Sequence, residues 1–129
     1  MNRKNVLVAD DDELVRQRLD RFFTARGFQV ECAESGEPVI ARLKDPPRPS
    51  LLILDLRMPL TSGLQFLRAI RAIPGLTNTP VAIVTGDYYL DDAQSNEIKE
   101  LGAELRYKPL WLEELVTLAR ELLNIPVRD

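Results

Sequence analysis

Five short apolar runs alternate with five amphipathic segments along the chain, and this alternation restricts the fold more than any other feature. Val6–Ala9, Leu51–Leu54 and Val81–Val84 are continuous apolar stretches, too short for helices and matched to strands buried on both faces. Phe28–Ala33 alternates as a further strand does, and Glu104–Tyr107 is a short fifth. Between them, Leu14, Val15, Leu19, Phe22 and Phe23 recur at helical spacing up to Gly27, a natural C-cap. Val39, Ile40 and Leu43 mark a second helix, with Ser35 as candidate cap and Pro46-Pro47-Arg48-Pro49 as its stop. After a turn over Met58–Gly63, a third carries Leu64, Phe66, Leu67 and Ile70. A fourth, spanning roughly Leu90–Leu101, is weakly apolar, with Ile98 and Leu101 as its anchors and Gly102 as its end. Trp111, Leu112, Leu115, Val116, Leu118, Ala119, Leu122 and Leu123 define the last, strongly amphipathic helix.

Strict alternation of strand and helix implies an α/β, doubly wound, five-stranded parallel sheet with helices on both faces. A chain of 129 residues fits one such domain, here 1–129, with no second domain and no internal repeat beyond the alternation. The net charge of −3 gives no basic surface for nucleic acid. No run is long enough for a signal peptide or a membrane span, so no membrane insertion is expected. With no histidine and a single cysteine, Cys32, the usual ligands for zinc or haem and an intrachain disulfide are missing. These features suit a cytoplasmic protein.

Ligands of doubly wound sheets bind at the carboxyl ends of the strands. The sequence places polar residues there: Asp10 and Asp11 after strand one, Asp55 after strand three, Thr85 after strand four and Lys108 after strand five. Three converging carboxylates repel one another unless a cation intervenes, and an all-oxygen set suits a hard ion such as Mg²⁺. Asp55 is the candidate nucleophile for a phosphoryl group, Lys108 a positive charge for its oxygens, and Thr85 a hydroxyl donor. Taken singly, each has a plainer explanation. Asp12 reads as a helix cap, Thr85 before Gly86 as turn chemistry, and Lys108 as a surface charge. Their coincidence at four strand ends favours a site.

Val-Leu-Val-Ala-Asp-Asp-Asp (6–12), Leu-Ile-Leu-Asp-Leu-Arg-Met-Pro-Leu-Thr-Ser-Gly (52–63), Val-Thr-Gly (84–86) and Lys-Pro (108–109) resemble the response-regulator receiver family over nearly the whole chain. The resemblance implies a flavodoxin-like fold with strand order 2-1-3-4-5 and a cis Lys108–Pro109 bond. It implies phosphorylation at Asp55, with Thr85 as switch hydroxyl and Lys108 as phosphate contact. Mg²⁺ would be held by Asp10, Asp11, Asp55 and the backbone carbonyl of Arg57. The phosphodonor would be a histidine kinase or a histidine phosphotransfer domain. The chain would be a phosphoacceptor assisting its own phosphorylation and dephosphorylation, not a turnover enzyme. A homodimer through the last helix and strand five is compatible with the pattern.

Two departures from the family matter. The aromatic residue many receivers carry three before the lysine is Leu105 here, and Tyr107 adjoins the lysine instead. The shortened Gly102-to-Lys108 spacing resembles receivers attached to hybrid histidine kinases. Arg57 and Asp87 flank the expected phosphoryl position and would pair across the site mouth or stand as separate solvated charges. Trp111 is expected to pack partly buried, whereas Tyr88-Tyr89 is the better candidate for a switch-dependent contact. The rival readings are a non-phosphorylated interaction module on the same fold and an aspartate-nucleophile phosphatase using Asp10 and Asp12. Gly-x-Gly-x-x-Gly and P-loop signatures for nucleotides are absent.

Overall fold

A computed structural model of the chain describes residues 4–35, 37–56, 62–86, 90–108 and 111–124. Its elements run β1 (Asn5–Ala9), α1 (Glu13–Ala25), β2 (Gln29–Ala33), α2 (Glu37–Leu43), β3 (Leu51–Asp55), α3 (Gly63–Arg71), β4 (Val81–Thr85), α4 (Asp92–Glu100), β5 (Glu104–Tyr107) and α5 (Leu112–Leu122). The strands form one sheet in the order β2-β1-β3-β4-β5, and every pair is parallel. This is the doubly wound architecture and strand order expected.

Side chains alternate across a strand, so each apolar run serves two cores. Leu7 and Ala9 of β1, Leu52 and Leu54 of β3, and Val81 and Ile83 of β4 join α2, α3 and α4 on one face. Val6, Val8, Leu51, Ile53 and Val84 join α1 and α5 on the other, around Phe23. Phe23 meets Phe28 edge-on, with ring centroids 5.2 Å apart. Burying Phe23 and Phe66 completely is worth about 1.5–3 kcal/mol each relative to exposure. β2, at the sheet edge, exposes Gln29, Glu31 and Cys32, which explains its alternating sequence.

Helix starts are set by short polar side chains. Asp12 caps α1, accepting from the backbone N–H of Leu14 at 2.9 Å and Val15 at 3.4 Å. Ser62 and Gln65 form a reciprocal capping box on α3, so Gly63 opens that helix rather than ending a turn. Asp91 caps α4, which begins two residues later and ends one residue earlier than its sequence suggests. Leu14 points away from both cores and is 65% exposed. Trp111 also departs from expectation. It precedes α5 as its N-cap and is 74% exposed, because the apolar face of that helix begins only at Leu112, inside the helix.

Candidate functional site

The strand alternation that builds the two cores also sorts the polar residues at the sheet's carboxyl edge. Asp55 continues the row Leu51, Ile53, and Asp10 continues Val6, Val8, so both carboxylates emerge on the α1/α5 side. Thr85 continues the row Val81, Ile83 towards α3 and α4. Asp55 and Thr85 are the last residues of their strands rather than the first beyond them. Register pairs Asp55 with Val84. All three are buried, Asp10 to 4%, Asp55 to 9% and Thr85 to 0% exposure.

One oxygen from each of Asp10, Asp11 and Asp55 lies within 4.8 Å of the others. The Lys108 ammonium sits 3.4 Å from Asp10 Oδ2 and 3.5 Å from Asp55 Oδ2. The four residues expected to converge from strands one, three and five therefore do so. One ammonium does not offset three carboxylates, and mutual repulsion in a half-buried setting favours a further cation. Oxygens around an octahedral magnesium are about 3 Å apart at neighbouring corners and about 4 Å at opposite ones, so these three carboxylates would hold Mg²⁺ once their side chains draw together.

Backbone hydrogen bonds hold the frame. The Asp10 N–H donates to Ala33 O at 3.0 Å, tying the end of β1 to β2. Arg16 donates to the Asp10 carbonyl at 2.8 Å, and the Asp12 N–H donates to Asp10 Oδ1 at 2.9 Å. The Lys108 N–H donates to Thr85 O at 2.7 Å, which links the lysine to the strand-four hydroxyl residue. Gly63 donates to Leu56 O at 2.8 Å. A Cβ at position 63 would stand 2.6 Å from Asp55 O and 2.8 Å from Leu56 Cα. Only glycine permits this approach, so the start of α3 braces the segment that follows the central aspartate.

Sequence reasoning missed Arg16 and the bracing role of Gly63. The Ser62-x-x-Gln65 pattern was a readable signal for the latter's position; nothing in the spacing of Arg16 signalled its carbonyl contact. Leu105, where an aromatic was expected from the resemblance, packs against the core that contains Ile83 and Ile98, while Tyr107 is 39% exposed. Arg57, Asp87, Tyr88, Tyr89 and the Lys108–Pro109 bond lie outside the described residues.

The family described as Response regulator receiver domain matches residues 6–120. The chain belongs to that family. Among solved structures, a response regulator receiver protein from Pseudomonas putida aligns with a TM-score of 0.83 and 31% identity, covering 94% of this chain and 98% of that one. The chemotaxis protein CheY4 of Vibrio cholerae aligns at a TM-score of 0.84 and 26% identity, covering 95% of this receiver and 100% of its own chain. Response regulator MprA of Mycolicibacterium vanbaalenii is 32% identical over 127 residues, 96% of this chain and 52% of the relative. Regulatory protein AtoC of Escherichia coli is 30% identical over 121 residues, 93% of this chain and 25% of the relative. The receiver thus spans a quarter to about half the length of these two curated relatives. Receiver domains are signalling modules rather than turnover enzymes. Among the described residues, no helix is long and apolar enough to cross a membrane.

Proposed function

We propose that Asp55 accepts a phosphoryl group from a phosphohistidine donor, a histidine kinase or histidine phosphotransfer domain, in a two-component phosphorelay. The observation that carries this reading is the cluster of Asp10, Asp11 and Asp55 oxygens within 4.8 Å beneath the Lys108 ammonium. Asp55 supplies the attacking oxygen; the new O–P bond forms as the P–N bond to the donor imidazole breaks. Lys108, now 3.5 Å from Asp55 Oδ2, is placed to follow the charge onto a phosphoryl oxygen. Thr85 would offer its hydroxyl to another, drawing the α4 side of the molecule towards the site. Mg²⁺, held by Asp10, Asp11, Asp55 and the backbone carbonyl of Arg57, would offset the charge on the transferring group.

The same reading takes residues 1–129 as a single cytoplasmic receiver that assists its own phosphorylation and dephosphorylation. Similarity to the receiver domain of a signal transduction histidine kinase from Syntrophus aciditrophicus, at 25% identity and a TM-score of 0.81, supports a place beside hybrid kinases. The test is incubation with acetyl phosphate and Mg²⁺, followed by intact-mass spectrometry. The wild type gains one phosphoryl group, and Asp55→Asn gains none. A wild type that stays unmodified, from acetyl phosphate and from a phosphohistidine donor alike, would return the chain to the interaction-module reading.

A further inference from the structure

A cavity of about 850 Å³ opens between α1 and α5, and Asp10, Asp55 and Lys108 themselves are among the residues that line it. Val15 and Leu19 of α1 form one wall, Leu112 and Leu115 of α5 the other. Its floor includes Ile53 and Val84 of the sheet. Its volume falls within the range of small-molecule sites, which are mostly apolar with a few convergent polar groups. At its rim stands Trp111, whose 74% exposure leaves a large aromatic face uncovered beside the phospho-acceptor site.

From this continuity we infer that the receiver takes acyl phosphates with a bulky apolar body, aryl or long-chain, in preference to the smallest members of that class. The inference rests on Asp55 being the phosphoryl acceptor. The head of the occupant is fixed by that chemistry, because Asp55 and Lys108 line the same cavity as the apolar side chains. The body is fixed by the walls, which are apolar apart from Arg18 of α1 and so favour an apolar body over a polar one. Val15 and Leu112 belong to the first turns of helices that begin at the strands' carboxyl ends, and Trp111 stands at the N-cap of the second. In the step, an Asp55 carboxylate oxygen bonds to phosphorus, the P–O bond to the acyl group breaks, and the carboxylate leaves with the electron pair. No further reactant is required.

The experiment measures Asp55 phosphorylation with Mg²⁺ at increasing benzoyl phosphate or acetyl phosphate, in the wild type, Trp111→Ala and Leu112→Gln. Trp111 is exposed, so its replacement leaves the core untouched. Benzoyl phosphate should half-saturate the wild type at a roughly tenfold lower concentration than acetyl phosphate, as burial of an aromatic body in an apolar pocket implies. In both variants that ratio should fall towards one. Equal half-saturation by the two donors in the wild type would overturn the inference while leaving Asp55 as acceptor. A preference for benzoyl phosphate that survives both substitutions would also overturn it, since the groove would then not be its source. Failure of both acyl phosphates with phosphorylation by a phosphohistidine donor retained would overturn this inference alone; failure of all three donors would overturn the acceptor reading as well.

Discussion

α3 and α4 are both nine residues long and lie on the same face of the sheet, yet they are held there by very different numbers of buried side chains. α3 buries Gly63, Leu64, Phe66, Leu67 and Ile70 and starts with a capping box. α4 buries Ile98 alone, and polar contacts from its neighbour add to that single anchor. Arg68 reaches from α3 with a forked pair of hydrogen bonds to Glu97. Arg71 donates to Leu101 O at the end of α4. The difference teaches which part of the receiver can move without unfolding it. A helix with one buried anchor can detach locally at a fraction of the global cost, and the one that can do so follows the strand carrying Thr85.

The largest effect that sharpens this contrast comes from the anchors. Phe66 and Ile98 are both fully buried in the same core. Phe66→Ala should cost about 3–5 kcal/mol of global stability, read from urea denaturation. Ile98→Ala falls in a range of about 2–5 kcal/mol if α4 unfolds with the rest. Because α4 has little else to hold it, much of that loss should instead appear as accelerated amide exchange confined to residues 92–100, with a smaller shift of the denaturation midpoint. Equal midpoint shifts for the two variants, with α4 exchanging no faster than α3, would break the comparison.

Arg71 comes next. Its guanidinium also donates to Leu76 O at 2.9 Å and Thr79 O at 2.7 Å, so one side chain joins the end of α3, the loop before β4 and the end of α4. Burial lowers the pKa of the group, and the carbonyls compensate by accepting from the charged form. Arg71→Ala should cost about 1–3 kcal/mol, since it removes these charge-assisted bonds and orphans partly buried acceptors. Arg71→Lys should rescue little of it, because an ammonium lacks the planar fork that spans several carbonyls. A full rescue by lysine would show that charge, not geometry, closes this corner.

The same two helices show what a sequence displays and what it hides. The apolar spacing of Leu64, Phe66, Leu67 and Ile70 made α3 visible, because burial imposes period and period is local. α4 was found with blurred ends. Its sequence is polar at almost every position, and the Asp91 side chain, not an apolar face, marks its start. The site was legible to the extent that strand ends were: Asp10, Asp11, Asp55 and Thr85 stand where apolar runs give way to polar residues, and Lys108 where the short fifth strand ends. What joins them was not legible. Lys108 meets Asp10 across 98 positions, and Glu97 meets Arg68 across 29, separations at which a single sequence carries no pairing signal. Trp111 was misjudged for a related reason. Its spacing continues the apolar face of α5, but the face turns towards the core only after the helix has begun.

The weakest of the links between the two helices is the Arg68–Glu97 fork, and its smallness is itself informative. Both groups face water. The hydrogen bond from Arg68, and then its charge, hold the Glu97 carboxyl below the usual carboxylate range. A carboxyl whose folded pKa is depressed contributes stability that is fully present above its unfolded value and is lost as pH falls through the folded one. At neutral pH the fork is therefore intact, and acid releases it. Glu97→Gln should leave the denaturation midpoint nearly unchanged while hastening amide exchange in α4. About 1 M salt, where the Debye length is about 3 Å, should reproduce that in the wild type. Below the ordinary carboxylate range, wild type and variant should exchange alike. If Glu97→Gln instead matched Ile98→Ala in its effect on α4, the helix would be fastened by its ion pair rather than by its single buried anchor. The contrast with α3 would then be one of charge against packing, not of few buried side chains against many.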